Sequence, residues 1–301
     1  MQDKLIKRAK ELLAEGKVQK VVGWKKGLFE DDISPAVFTS AEELDKDFVF
    51  NKYCKANLSK YLVKITREIE VAKSTTRMNN TMAKQRDPNA QDKPIPQATV
   101  LVFLKPSDTY SFTQLLKENR ITRDDVYAIG VPCQDTLDGG EVCDNCKNKK
   151  PVSCDELIGV EAEVEAVESK RMAEVEKLEH MTADERDAFW KNEFSRCLRC
   201  NACRDICPAC TCEKCVFDNN KLYTSQKVAE TNFEESLFHI IRAWHVAGRC
   251  TDCGECSRVC PQHIPLYLLN RKFIKDINEI YGDYQAGSDM ETKPAMLTFN
   301  A

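Results

Sequence analysis

Two cysteine runs with the same spacing constrain this chain more than any other feature of its sequence. In each run two residues separate the first three cysteines, three residues precede the fourth, and proline follows at once. The runs begin 53 residues apart and comprise Cys197, Cys200, Cys203, Cys207 and Pro208, then Cys250, Cys253, Cys256, Cys260 and Pro261. A loop with this spacing can hold three irons of a cubane. We therefore predict two 4Fe-4S clusters.

The fourth cysteine of such a run ligates the other cluster. This rule assigns Cys197, Cys200, Cys203 and Cys260 to cluster one, and Cys250, Cys253, Cys256 and Cys207 to cluster two. The alternative is a pair of zinc sites, because cysteines two residues apart also bind zinc. Zinc sites rarely use the full run with its proline, and here the run occurs twice.

The composition is that of a soluble globular protein. Its 301 residues are 42% hydrophobic and 31% charged, and the net charge of -4 gives no reason to expect nucleic acid. No stretch approaches the roughly 18 apolar residues of a membrane helix, and the N-terminus lacks the apolar region of a secretory signal. We expect a cytoplasmic protein without direct membrane insertion. Because disulfides are rare in the cytosol, sixteen cysteines indicate metal.

The eight cysteines outside the runs are enough for two more four-ligand sites. One compact set is predicted to hold a third cluster and consists of Cys133, Cys143, Cys146 and Cys154. Zinc, or one or two free buried thiols, is the alternative. The other set is a candidate fourth cluster and consists of Cys54, Cys210, Cys212 and Cys215. A structural zinc or plain thiols would explain these residues equally well. One or two further 4Fe-4S clusters are thus predicted.

The pattern of elements before residue 160 predicts an α/β domain. A buried strand, a short helix and a second strand follow one another, which predicts a βαβ unit and a partly parallel sheet. The loop after the first of these strands and the segment from Cys133 onward are then neighbours at one sheet edge. The predicted elements are helices at 3–15, 58–71 and 111–118 and strands at 18–24, 99–104 and 126–131, with a polar, poorly ordered loop at 74–97.

A mainly α-helical dicluster domain is predicted to follow. Thr182 and Glu185 have the spacing of a capping box, and a helix at 233–246 lies between the runs with an apolar face. That face comprises Phe233, Leu237, Ile240, Ile241 and Trp244. The four histidines lack the spacing of metal ligands. We divide the chain into an α/β domain at 1–160, a helical linker at 161–196, the dicluster domain at 197–281, and a C-terminal arm at 282–301 that orders on a partner.

Several motifs in the first 160 residues resemble the beta-subunit family of deazaflavin-dependent hydrogenases and formate dehydrogenases. They include Val21-Val22-Gly23-Trp24, Phe50-Asn51-Lys52-Tyr53-Cys54, Ala128-Ile129-Gly130-Val131-Pro132-Cys133, Cys143, Cys146 and Leu157-Ile158-Gly159. The second half resembles a bacterial-ferredoxin-type dicluster domain and is similar to the iron–sulfur subunit of heterodisulfide reductases. That similarity rests on Arg196-Cys197-Leu198-Arg199-Cys200 and Ile241-Arg242-Ala243-Trp244-His245-Val246.

The first resemblance has one departure. The family commonly carries a cysteine in the loop after the central strand, where this chain has Lys105-Pro106-Ser107-Asp108. Either Cys154 supplies the fourth ligand of the third cluster, or that cluster has an open site. Flavin-dependent members of the family bind a flavin in this domain, so the resemblance allows a flavin, although no residue here is assigned to it.

These observations lead to three hypotheses on function. The first is a non-catalytic electron-transfer subunit of an anaerobic oxidoreductase complex, with a formate dehydrogenase, a hydrogenase, a heterodisulfide-reductase-like subunit or a tungsten-dependent enzyme as partner. The second is a flavin-containing oxidoreductase subunit that itself reduces or oxidises a soluble cofactor. The third is a zinc-stapled scaffold without redox function.

Overall fold

The computed structural model describes residues 1–96, 98–133, 146, 150–159, 171–218 and 232–293. Cys143, the first part of the predicted linker and the last eight residues lie outside these ranges, so the predictions for them stay untested. All three helices and all three strands predicted below residue 160 are present in the structure, with shifted ends.

A five-stranded mixed sheet forms the centre of the N-terminal half. Its order is β2-β1-β3-β4-β5, with β1 antiparallel to β2 and all other neighbours parallel. The strands are β1 (Lys20–Lys26), β2 (Ile33–Phe38), β3 (Val100–Leu104), β4 (Val126–Gly130) and β5 (Glu156–Leu157). The central strand β3 is rich in Val and Leu and is contacted by helices, as expected of a strand in a parallel sheet.

The predicted βαβ unit is confirmed. β3 and β4 pair in parallel, and every residue of β3 is buried. The connecting helix α4 (Pro106–Lys117) begins five residues before the predicted start, because Pro106 occupies its first turn, where a missing N–H costs nothing. The Val131 amide donates to the Leu104 carbonyl at 2.9 Å, so the segments that follow the two strands are neighbours, as predicted.

The predicted loop at 74–97 is wrong over its first half. Helix α3 (Ser59–Arg86) continues fifteen residues beyond the predicted end at Val71, and Asp87, the residue before Pro88, ends it. The segment from Ser74 to Arg86 is polar but contains neither Gly nor Pro, so nothing in it breaks a helix. Two shorter helices complete this half, α1 (Gln2–Ala14) and α2 (Ala41–Asp47), the latter capped by the Ser40 hydroxyl.

The described residues beyond 171 contain helices and no strand. These helices are α5 (Ala173–His180), α6 (Ala183–Ser195), α7 (Ala202–Asp205), α8 (Asn232–His245), α9 (Glu255–Arg258) and α10 (Leu266–Tyr281). The predicted capping box opens α6: Thr182 accepts from the Glu185 amide and the Glu185 carboxylate accepts from the Thr182 amide. Two other α-helices, α7 and α9, each hold the third cysteine of a run.

Helix α8 buries three polar residues and exposes most of its predicted apolar face. The buried positions include Glu235, His239 and Arg242, which lie one helical turn or two apart. Four of the five residues of the predicted apolar face are instead exposed, namely Phe233, Leu237, Ile240 and Trp244. Hydrophobic periodicity identified the helix but not the side that faces the interior, and the reason lies in what the helix covers.

The first part of the predicted C-terminal arm packs on the rest of the protein. Tyr284 and Ala286 are buried against Ile277, and the Gly287 backbone lies so close to the Tyr110 carbonyl that a Cβ there would overlap it. Residues 282–293 therefore pack on the rest of the chain, and the ordering of the arm on a partner stays a prediction. The anchors are single aromatic and small residues with no periodicity to predict them.

Lys105 anchors the start of α4 in the interior. Its ammonium group is fully buried and donates to the carbonyls of Cys54, Lys55 and Ala56 at 2.9–3.0 Å. It also lies 3.2 Å from the Asp108 carboxylate. The loop that departs from the family pattern at Ser107 thus carries a buried ion pair. The Ser107 hydroxyl donates to Asp108 at 3.2 Å.

Asp108 is predicted to make stability depend on pH. Burial, and next Glu255, raise its pKa to about 6 from an ordinary 3.8, although Lys105 and Arg258 oppose the rise. Between these two pH values the folded protein binds more protons than the unfolded chain, so stability falls as pH rises through this window. From pH 7 to pH 5 the wild type should gain about 1 kcal/mol, or about 2–4 °C in melting temperature, relative to Asp108→Asn. If the melting temperatures of the wild type and Asp108→Asn changed equally between pH 7 and pH 5, the raised pKa assigned to Asp108 would be refuted.

Candidate metal centre

The two cysteine runs fold into the same backbone shape. In each run the residues on both sides of the second cysteine have positive φ: Arg199 (52°) and Asn201 (63°) in the first, Asp252 (59°) and Gly254 (74°) in the second. These left-handed residues turn the chain around a central point, and three of the four are not glycine, which is uncommon. The short helix α7 or α9 then brings back the third cysteine. The internal repeat predicted from spacing is therefore present in three dimensions.

Amide groups of each run point at its own sulfurs. The Arg199 amide donates to the Cys197 sulfur at 3.3 Å. The amides of Asp252 and Glu255 bond the sulfurs of Cys250 and Cys253 in the same way, two residues on. Donors aimed at sulfur stabilise the thiolate, which is the form that binds metal. The runs therefore present sulfurs prepared for negative charge.

One cavity is lined by cysteines of both runs. The sulfur-bearing residues at this cavity are Cys197, Cys200, Cys203 and Cys260, the four that the spacing assigns to cluster one. Phe238, His239, Ile264 and Leu266 form much of the remaining wall. Cys200 and its neighbour Leu198 are exposed, so this cavity lies close to the protein surface.

A second cavity is lined by cysteines assigned to cluster two and by residues of helix α4. Cys207, Cys250 and Cys253 line it together with Ser111, Gln114 and Glu118. The Ser111 and Thr251 hydroxyls are 2.8 Å apart, and Arg249 donates to Glu118 at 2.7 Å. Cys256 is buried close to Cys207, whose charge acts on it. The residues assigned to cluster two thus lie beside the α/β half of the chain.

The donor set fits an iron–sulfur cluster. Burial raises the pKa of Cys197 to about 11 and that of Cys203 to about 12, and it raises the pKa of Cys250 as well. As free thiols these groups would be neutral at pH 7, whereas iron would hold them as thiolates and supply the opposing charge. Such a cluster would provide one-electron transfer.

Several residues near the cysteines escaped the sequence analysis. His239 places Nε2 at 3.3 Å from the Cys197 sulfur and stacks on Phe194. Burial, followed by Arg242 and Arg199, lowers its pKa to about 3, so the ring is neutral. A neutral ring can donate one N–H to a thiolate. Asn270 likewise donates to the Cys256 sulfur at 3.3 Å. The helical spacing of Glu235, His239 and Arg242 places them on one face of α8, and this spacing could have indicated that they lie beside the cysteines.

Cys197, Glu235 and His239 bring their potential ligand atoms within 4.8 Å of one another, as in a mononuclear metal site. Glu235, however, accepts from Arg199 at 3.0 Å in a buried ion pair, so its charge is already balanced. Cys197 also shares its cavity with three other cysteines. The geometry therefore favours Glu235 and His239 as neighbours of a cluster ligand.

Three of the cysteines proposed for a third cluster lie within the described residues. Cys133 follows β4. The Cys154 sulfur lies beside Gly130, so that a Cβ added to Gly130 would be 3.3 Å from it. Cys146 acts on Tyr110 of α4 and contributes, after burial, to raising the pKa of that phenol. These contacts place Cys133 directly after β4, the Cys154 sulfur near Gly130 at the end of β4, and Cys146 near the first turns of α4.

The candidate fourth set falls in two parts of the structure. Cys54 is buried in the core around the sheet, where its sulfur accepts from the Asn51 amide and donates to the Val49 carbonyl. Cys215 packs in the hydrophobic cluster around Phe217 and Phe238, and Cys210 hydrogen-bonds the sulfur of Cys207. Lys60 of α3 donates to the Cys210 carbonyl. No described contact joins the Cys54 sulfur to the other three.

Comparisons with known proteins agree with this site. Residues 193–264 match the family described as the 4Fe-4S dicluster domain. The chain is 34% identical over 106 residues to the F420-dependent formate dehydrogenase subunit beta of Methanocaldococcus jannaschii, a match covering 35% of this chain and 27% of the relative. It is 31% identical over 107 residues to F420-dependent formate dehydrogenase 1 subunit beta of Methanococcus maripaludis, covering 36% and 26%. The matches span about a quarter of these relatives.

Residues 193–264 therefore match a 4Fe-4S dicluster domain, and about a third of the chain is similar to part of formate dehydrogenase beta subunits. The domain match begins at residue 193, within the last turn of α6, and ends at Ile264. In the part of the chain that the structure describes, each helix is too short or too polar to span a bilayer.

Proposed function

We propose that this chain is an iron–sulfur electron-transfer subunit of a cytosolic, multi-subunit anaerobic oxidoreductase. One observation carries the proposal: a single cavity is lined by three cysteines of the first run and the fourth cysteine of the second. Crossed ligands of this kind hold two cubanes close together, so single electrons can pass between them. The substrate chemistry belongs to a partner subunit.

The ligands of the two clusters follow from the crossed arrangement. Cluster one takes Cys197, Cys200, Cys203 and Cys260, and cluster two takes Cys250, Cys253, Cys256 and Cys207. The two cavities and the amides aimed at the sulfurs support this assignment. We propose the domain limits 1–160, 161–196, 197–281 and 282–301, with the end of α6 adjoining the first cluster.

A third cluster would extend the path into the α/β half. We propose Cys133, Cys143, Cys146 and Cys154 as its ligands. Support comes from helix α4, whose first turns lie beside Cys146 and whose later turns, from Ser111 to Glu118, line the cavity of cluster two. Electrons would then pass from this site to cluster two and on to cluster one, whose ligand Cys200 is exposed. The set Cys54, Cys210, Cys212 and Cys215 stays a prediction for a fourth site.

A dehydrogenase or hydrogenase is the partner that we propose. The named relatives are beta subunits of formate dehydrogenases, which supports a formate dehydrogenase first. A hydrogenase, a heterodisulfide-reductase-like subunit or a tungsten-dependent oxidoreductase would use the same one-electron path. Anaerobic isolation from the native host tests the assembly. The proposal expects the chain to copurify with a catalytic subunit, and repeated recovery as a lone monomer would contradict it.

Counting electrons tests the proposed role itself. Anaerobic titration with dithionite should reduce the protein by one electron per cubane, so about two electrons enter per chain from the two crossed clusters and about one more from a third. Acid precipitation in parallel detects flavin. Electron uptake beyond the clusters together with released flavin would favour the flavin-containing alternative. A protein that takes up no electrons would refute electron transfer.

A further inference from the structure

Arg242 is a buried cation that no described residue hydrogen-bonds through its guanidinium. Its side chain is 2% exposed, and none of its three guanidinium nitrogens has a hydrogen-bond partner among the described residues. Burying a guanidinium in this way is costly unless an opposite charge lies close by. The unusual state of this side chain therefore points to a negative group that the polypeptide alone does not supply.

The carboxylates near Arg242 already form ion pairs with other arginines. Glu235, on the same face of α8, pairs with Arg199, while Asp252 pairs with Arg271 at 2.9 Å. Glu255 accepts from Arg258. Each buried acidic residue of the described runs and of α8 therefore has its own arginine. Arg242 is left facing cysteines.

The cysteines around Arg242 belong to both crossed sets. The Arg242 guanidinium lies near the sulfurs of Cys203, Cys207, Cys210 and Cys256, close enough for its positive charge to act on each of them. Cys203 belongs to cluster one, and Cys207 and Cys256 belong to cluster two. One charge between the two sets acts on both.

We infer that Arg242 is the counter-charge shared by the two clusters and that it raises the reduction potential of both. This inference rests on the proposed function, because it requires the two 4Fe-4S clusters. A cubane bound by four thiolates is an anion, and accepting one electron from a donor adds a further negative charge. A fixed positive charge in a low-dielectric interior stabilises the reduced form more than the oxidised form. Arg242 acts through this field and is not a ligand.

Two substitutions of Arg242 separate charge from shape. Arg242→Met removes the charge and keeps an apolar stem of similar length, whereas Arg242→Lys keeps the charge. The matched control is Arg196→Met, because Arg196 lies next to Cys197 but is half-exposed and paired with Glu193. Water screens that charge, so its loss should have little effect. Iron and acid-labile sulfide are first measured for every protein.

The readout is a redox titration followed by electron paramagnetic resonance. At a fixed potential, the ratio of reduced to oxidised cluster in Arg242→Met should fall about tenfold for both clusters, a downward shift of about 59 mV for a one-electron couple. Arg242→Lys and Arg196→Met should stay within threefold of the wild type. Loss of iron from Arg242→Met alone, with Arg242→Lys loaded, would also support the counter-charge.

Three results would overturn the inference. They are a fully loaded Arg242→Met with wild-type potentials, an equal shift in Arg196→Met, and loss of iron from both Arg242 variants, which would show that the shape of the side chain is what the site needs. If the wild type itself holds no 4Fe-4S clusters, the proposed function fails instead, and the iron and sulfide measurements on the wild type identify that case.

Discussion

Replacing both Cys197 and Cys260 by alanine is expected to remove about four irons per chain, no more than replacing either one alone. The two residues belong to different runs, yet they line the same cavity. If they ligate one cubane, the first substitution already destroys that cluster and the second has nothing left to remove. Iron and acid-labile sulfide in the anaerobically purified variants measure the effect.

The matched control is a pair from the same run. Cys197→Ala with Cys207→Ala should remove about eight irons, because crossed ligation assigns these residues to different clusters. If each run instead ligated its own cluster, the results would be exchanged: the Cys197 and Cys207 pair would cost four irons and the Cys197 and Cys260 pair eight. The two arrangements therefore predict opposite outcomes from the same four proteins.

Replacing Lys105 by methionine is expected to destabilise the α/β half severely. The substitution leaves the Asp108 carboxylate and three carbonyls buried without their donor. Removing one partner of a buried ion pair costs about 3–5 kcal/mol. The melting temperature of the loaded protein, followed by far-ultraviolet circular dichroism, should fall by about 10 °C or more.

Lys64→Met provides the control for this change. Lys64 lies on α3 and is exposed, so the same loss of a lysine there removes no buried contact and should alter stability by less than about 0.5 kcal/mol. Equal melting temperatures for Lys105→Met and Lys64→Met would show that the ammonium group contributes little. The double variant Lys105→Met with Asp108→Asn should recover part of the loss, because it removes the unpaired carboxylate.

The sequence predicted the features that depend on local spacing. Three predicted features are present: the two runs, the capping box at Thr182 and the βαβ unit. Each was recognised from patterns over short stretches of sequence. The positive φ angles within the runs were harder to predict from the sequence. Gly254 suits a positive φ, but Arg199, Asn201 and Asp252 adopt it because the surrounding fold requires it.

The sequence failed where the interior is not apolar. The buried face of α8 carries Glu235, His239 and Arg242, because it covers cysteines whose charge in the loaded protein favours cations and hydrogen-bond donors. A prediction from hydrophobic periodicity assumes that the interior is apolar, so it assigned the apolar face of α8 to the interior. The burial of Lys105 likewise has no local signal in the sequence, since a lysine outside a regular element is usually solvated and here three carbonyls and a carboxylate bind it.

Iron, acid-labile sulfide and zinc per chain, measured together on anaerobically purified protein, test the central claim most directly. Two crossed 4Fe-4S clusters predict about eight irons and eight sulfides, and a third cluster predicts about twelve of each, with little zinc. About one zinc per cysteine run, with less than one iron and no labile sulfide, would show that the runs hold structural zinc and would contradict an electron-transfer role.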